Sequence, residues 1–465
     1  MLGRFAGSSA RERSRSNGVS VTSVRVDGSR LECSLDARGA VSRFLTGEDL
    51  YVEYDVDLSE VPESVLTVPL LAQVCPVAWT VGAEVRVPTV DRRFLDSLRR
   101  VGTALCEMYP SFMRGGRVVA RDAPTADTDD AATTTTERNH EQSNSGENAG
   151  MLFTGGGDSL ATYIRHREED PTLINVRGWL VGADDDRWSD VAARIEAYGE
   201  RFGAEVQFVR SNMLDVLDSS ALSIYFSDDY PGGWYSAVGG GLGLVGLCAP
   251  LTAATGLDRL YVAATHWAGV TGPSDYDHWD GPAMPWGSHP AIDNEIAWDG
   301  TEVVHDGFEL TRQERVEVIA DYVADEQPGL QVRACESSPT GDNCNDCEKC
   351  FRTALGLAFA GLDPTDHGFA LDAPDFARAR RHLETGAWLP DQQEHLYWEE
   401  FGHLAAERDS LPIDDDRTTL RWLRETDFAA LSGKPHRDRA LRAVARRLPY
   451  PVFDGARTVY DRLIG

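Results

Sequence analysis

From Gly150 onward, short apolar runs alternate with amphipathic stretches, and this alternation limits the folds open to the chain more than any other feature. "GMLFT", "TLINVRGWLVG", "AEVQFVRS" and "LDRLYVAATH" are rich in β-branched and aromatic residues and too short for ordinary helices. "SLATYIRHR" opens a helical pattern, and "RWSDVAARIEAYGERFG" continues one until Gly203. "SAVGGGLGLVGLCAPLTAATG" reads as a buried helix despite its glycines. Strands separated by helices of roughly 10 to 17 residues call for a parallel sheet.

The flanks read differently. Residues 1–20 are Arg/Ser-rich without an apolar signal core and are expected to be a disordered leader. Residues 21–122 mix strands ("LYVEYDVDL", "GAEVRV", "GRVVARD") with the helix "DRRFLDSLRRVGTALCEMY", as in an α+β domain. Residues 123–149 contain nothing more apolar than alanine and are expected to form a disordered acidic, Thr-rich linker. The tail, 371–465, reads as a helical cap on the main domain, which then spans 150–370.

Charge describes the setting. There are 75 acidic against 45 basic residues, a formal net charge of −30, and the only lysines are Lys349 and Lys434. Acid-rich, lysine-poor chains resemble proteins of extreme halophiles. At molar salt the Debye length falls to about 3 Å, which screens the self-repulsion. No stretch forms a basic stripe, which weighs against nucleic acid as a partner. No run of 18 apolar residues predicts a membrane span. Cys33, Cys75, Cys106 and Cys248 are scattered among apolar neighbours, and thiol usage of this kind suits a reducing cytosol, so the expected location is cytoplasmic.

Between the first strand and its helix stands "TGGGDS", Thr154 to Ser159. Glycines there let the backbone take positive φ and let a ligand approach without meeting a Cβ. Backbone N–H groups at a helix N-terminus attract anions. The spacing is not that of a Walker loop, and no lysine lies near. The string resembles the S-G-G-x-D-S loop of the PP-loop ATP pyrophosphatases, whose members include 7-cyano-7-deazaguanine synthase, NAD synthetase and GMP synthetase. The resemblance implies an adenine nucleotide alpha hydrolase-like α/β sheet that splits ATP to AMP and pyrophosphate. Carried across by position, Thr154, Gly155, Gly156, Gly157, Asp158 and Ser159 would bind ATP and Mg²⁺. Asp158 and Ser159 would act in catalysis, with Thr154 in place of the usual serine.

"CESSPTGDNCNDCEKC" sets Cys335, Cys344, Cys347 and Cys350 in one window. Four thiolates with C-x2-C steps can close a tetrahedral shell around a structural zinc; an iron–sulfur cluster and free thiols are the other readings. The same spacing is similar to the zinc site of 7-cyano-7-deazaguanine synthase-like proteins. Lys349 and Arg352 sit in or beside this cluster. Two readings stand: Lys349 offsets the thiolate charge, or Lys349 or Arg352 reaches a phosphate of ATP. The stretch Thr265 to Trp298, after a predicted strand end, is dense in Trp, His, Asp and Gly. His266, Trp286, Ser288, His289 and Asp293 are its candidate substrate contacts. The expected function is ATP-dependent adenylation of a small molecule by a ligase-type enzyme. A catalytically silent nucleotide sensor or scaffold is one alternative, an RNA-modifying enzyme of the same fold another.

Overall fold

The structure is a computed structural model. It describes residues 17–124 and 148–431, apart from 180–181, 228, 231–232, 271–283, 336–337, 339–341, 386 and 389–393. The bulk of the expected leader and linker, and the end of the helical tail, lie outside the described residues.

The described strands are β1 (Gly18–Asp27), β2 (Arg30–Arg38), β3 (Leu50–Tyr54), β4 (Glu84–Thr89), β5 (Arg117–Asp122), β6 (Ala149–Leu152), β7 (Thr172–Arg177), β8 (Val206–Ser211), β9 (Arg259–Ala263), β10 (Ala297–Trp298) and β11 (Thr301–Asp306). They form one mixed, mostly parallel sheet in the order β10-β11-β9-β6-β7-β8-β3-β2-β1-β4-β5. Two expectations change here. β1 begins at Gly18, inside the stretch expected to be disordered. The strands of 21–122 do not build a sheet of their own, because β3 pairs antiparallel with β8 through Val52–Ser211 and Tyr54–Val209 and joins both halves. Tyr54 adds a hydrogen bond across the join, donating from its hydroxyl to the Leu247 carbonyl at 2.9 Å.

The main helices are α1 (Val68–Thr80), α2 (Arg92–Met108), α3 (Gly157–His166), α4 (Trp188–Phe202), α5 (Tyr235–Thr255), α6 (Arg312–Asp325), α7 (Glu348–Phe359), α8 (Ala373–Glu384), α9 (Glu394–Ala406) and α10 (Asp416–Glu425). Local chemistry explains their ends. Asp91 caps α2 by accepting from Phe94 N at 2.9 Å, and Gly203 closes α4 in the left-handed conformation. Thr311 and Glu314 form a capping box at the start of α6.

Side chains alternate across the strands and feed two cores. On β9, Leu260 and Val262 join the core containing Leu71, Leu98, Leu242 and Val245 of α1, α2 and α5. Tyr261, between them, joins the core containing Leu160, Ile195, Ile319 and Leu355 of α3, α4, α6 and α7. Helix α5 is long and apolar enough to cross a membrane, yet 83% of its most apolar window is buried inside the first core.

The order β11-β9-β6-β7-β8 decides where a ligand can sit. From β6 the chain passes through α3 to β7 on one side, while α5 leads into β9 on the other. Right-handed crossovers then put α3 and α5 on opposite faces, as the two cores record. The carboxyl end of β6 is a topological switch point, where open α/β sheets leave a crevice.

Candidate anion-binding cleft and thiolate centre

The glycine loop leaves β6 at that switch point. Its left-handed turn falls at Gly155, φ 72°, whereas Gly156 is extended at φ −74° and Gly157 begins α3. A Cβ on Gly155 would lie 2.5 Å from the Tyr198 ring, so close approach as well as φ demands glycine. The loop is braced internally. Ser159 Oγ donates to Gly156 O at 3.1 Å and accepts from Thr154 N at 3.3 Å, while Thr154 Oγ1 accepts from Gly156 N at 3.4 Å. Ser159 therefore shapes the loop from within. Thr154 keeps the hydroxyl that this bracing uses.

Beyond the loop opens a cleft of about 140 Å³, lined by Thr154 and Gly156 to Ser159 together with α6, α7 and α9. Lys349 and Arg352, singled out from the sequence, both line it. So do Arg312, Arg315, Arg333 and Tyr397, which sequence reading missed. A signal for two of them existed: the capping box at Thr311 marks a helix start, and Arg312 and Arg315 stand one turn apart on that helix. Nothing in the tail foretold Tyr397. Its ring lies between the guanidinium groups of Arg312 and Arg352, at 5.3 and 4.3 Å.

Asp158 supplies the counter-charge. Its Oδ1 accepts from Arg315 Nη1 at 3.0 Å, and its Oδ2 lies 3.4 Å from Arg312 Nη2. Burial works to raise its pKa, but Arg312 and Arg315 outweigh burial and hold the carboxyl below its ordinary range. Arg315, itself buried, also donates to the carbonyls of Thr265, His266, Gly307 and Leu310. One guanidinium thus ties the glycine loop to the turns after β9 and β11. Arg352 pairs with Glu348 at 2.9 Å.

A second, narrow apolar slot of about 40 Å³ adjoins the cleft and shares Thr154 and Arg333 with it. Phe153, Val176, Trp179 and Trp188 line it at the carboxyl ends of β6 and β7.

The expected substrate contacts separate into two groups. His266 is buried at 6% exposure, its ring 4.7 Å from that of Trp286, and neither ring nitrogen has a hydrogen-bond partner among the described residues. Burial, then the charges of Arg312 and Arg315, push its pKa down to about 3, so the imidazole is neutral. Ser288, His289 and Asp293 are engaged locally. Asp293 Oδ2 accepts from Ser288 Oγ at 2.6 Å and lies 2.7 Å from His305 Nδ1, and His289 Nδ1 accepts from Ala291 N. None of these five lines the described cleft.

Cys335, Cys344, Cys347 and Cys350 converge, with all four sulfurs within 4.8 Å of one another. Cys344 and Cys350 are 3.8 Å apart, and Cys347 and Cys350 3.5 Å. A tetrahedral zinc with bonds of about 2.3 Å needs sulfurs about 3.8 Å apart, so the cluster fits such an ion. Asn345, φ 54°, makes the left-handed turn between the second and third thiols. Cys335 also lines the cleft, so the cysteine cluster and the cleft share a wall.

No protein-family model matches the chain, and no curated protein or solved structure matches it either. Its mixed α/β sheet and four-cysteine cluster stand on their own residues and geometry.

Proposed function

We propose that the cleft binds the triphosphate of ATP and that the protein adenylates an oxygen of a small substrate, releasing pyrophosphate. One observation carries this reading. In a chain of net charge −30, four arginines and one of only two lysines line a single cleft, facing a glycine loop and helix N-terminus at a switch point.

The substrate oxygen attacks the α-phosphorus, the bond to the β-phosphate oxygen breaks, and pyrophosphate leaves with the electron pair. Ammonia or another nucleophile then displaces AMP. Loop amides and the cleft arginines meet the charge that grows on the leaving group. The slot between Phe153, Trp179 and Trp188 offers apolar side chains to an adenine base, which at about 40 Å³ it must widen to admit. Mg²⁺ would travel with the phosphates. Asp158, whose oxygens both face arginines, acts here by orienting Arg312 and Arg315, and no step is assigned to a metal on it. The four thiolates would hold a structural zinc whose protein ligands leave no open position.

A sensor that binds ATP without turnover is the second reading, favoured by that same engagement of Asp158. Incubation with MgATP in molar salt across a panel of carboxylic acids and amides, with products resolved by ion exchange, separates them. Adenylation gives AMP and pyrophosphate with at least one substrate; ADP and phosphate would contradict it. MgATP binding with no product across the panel selects the sensor.

A further inference from the structure

We propose that the thiolate centre is the positioning element of the anion cleft: a metal held by Cys335, Cys344, Cys347 and Cys350 fixes Arg333, Lys349 and Arg352 against the glycine loop, so that metal occupancy sets nucleotide affinity. This rests on the reading of the cleft as a triphosphate site.

The covalent path is short on both sides of the cluster. Arg333 stands two residues before Cys335, and its backbone forms a parallel bridge with Gly156. Arg333 N donates to Gly155 O at 3.2 Å. The first thiol therefore stands only two residues along the chain from a backbone hydrogen bond to the turn of the loop. Tyr198 reinforces this strip, its hydroxyl bonding Gln331 O while its ring packs on Gly155. On the other side, Cys347 is the N-cap of α7, and Lys349 and Arg352 bracket Cys350 in the first turns of that helix.

Asn343 stitches the two sides together. Its Oδ1 accepts from Ala334 N at 2.8 Å and Cys335 N at 3.3 Å, and its Nδ2 donates to Val332 O at 2.8 Å. Cys344 follows it directly. With a metal bound, three cleft cations and the loop become one rigid body. Without it, four adjacent thiols no longer hold the start of α7 to the Arg333 strip, and the cations must be ordered by the ligand. Ordering on binding lowers affinity.

Titration calorimetry with MgATP on the full chain tests this in three arms: zinc-loaded protein, protein stripped by chelator, and zinc-loaded Asn343→Ala. Circular dichroism accompanies each arm. Stripping should weaken MgATP on the order of 10- to 100-fold, and Asn343→Ala should weaken it several-fold while keeping all four thiols. By linkage, saturating MgATP should tighten zinc against a competing chelator by the factor that zinc tightens MgATP. A purely structural zinc would not show that reciprocity in folded protein. Stripped, folded protein or Asn343→Ala binding MgATP within twofold of the loaded parent would overturn the proposal and leave the cleft reading standing. Failure of the loaded parent to bind MgATP would overturn both.

Discussion

In the half of the sheet built from β1 to β5, Cys33 and Cys75 lie singly among apolar side chains, and burial pushes the Cys33 thiol up to about 12. In the other half four thiols meet, and hydrogen bonding from Cys350, against the effect of burial, pushes Cys347 down to about 5. Arginines divide in the same way. Arg38 pairs with Asp36, and Arg86 and Arg117 share Glu84, all three guanidinium groups lying at the surface. Around the loop, Arg312 and Arg315 share Asp158 beside Arg333, Arg352 and Lys349. The first half satisfies its charges and buries inert thiols, which is what a scaffold needs. The second holds cations in excess of acids in a recess, an arrangement that costs free energy until an anion or metal arrives.

The contrast is sharpest in the cysteines. Cys347→Ser should lose the metal and lower stability by several kcal/mol, whereas Cys75→Ala should lower it by about 1–2 kcal/mol. Urea unfolding with zinc analysis on both variants checks this; equal losses would erase the distinction. The carboxylates come next. Asp158→Ala strands two guanidinium groups and should destabilise by about 3 kcal/mol, against about 1 kcal/mol or less for Glu84→Ala beside exposed Arg117. Urea unfolding of both variants checks this, and a double-mutant cycle with Arg312→Leu measures how much of the Asp158 loss is its coupling to that guanidinium.

A smaller effect of opposite sign is expected at His266. Phenylalanine there removes two unpartnered buried nitrogens, so His266→Phe should raise stability by about 1 kcal/mol while MgATP still binds. A stability loss would mean that the imidazole is already satisfied in the free protein. The smallest effect concerns His166, at the end of α3, whose ring nitrogens lie 2.9 Å from Glu169 and from Asp306. Burial lowers its pKa, but those carboxylates outweigh burial and raise it above 6.5. A raised histidine stabilises fully below the unfolded value of 6.5 and loses that contribution as pH climbs through the folded value. Thermal stability should therefore decline above neutrality in the parent and decline less in His166→Asn.

Much of this was legible in the chain. Short β-branched runs gave β6 to β9, Gly203 gave the end of α4, and thiol spacing gave the cluster, because each signal is local. The join between β3 and β8 was not legible, since pairing partners 150 residues or more apart leave no local mark. For the same reason the cleft's far wall escaped notice: Arg333 reaches it through a backbone bridge, and Tyr397 through the packing of a tail helix. The sequence allowed positive φ at any of three adjacent glycines, and of these only Gly155 takes it, with the Tyr198 ring closing over that residue.

That placement of the turn supplies the most direct test of the central claim, that the loop and its cations form a triphosphate site. Gly156, at φ −74°, can carry a β-branched residue without backbone strain, so Gly156→Val should fold, with its Cβ 3.3 Å from Thr154 Oγ1 and that hydroxyl displaced by a few tenths of an ångström in the wall of the cleft. Calorimetric titration of zinc-loaded parent and Gly156→Val with MgATP in molar salt is the measurement. The account expects one site per chain in the parent and binding weakened at least 100-fold in the variant at unchanged thermal stability. No binding by the parent, or equal binding by both proteins, would contradict it.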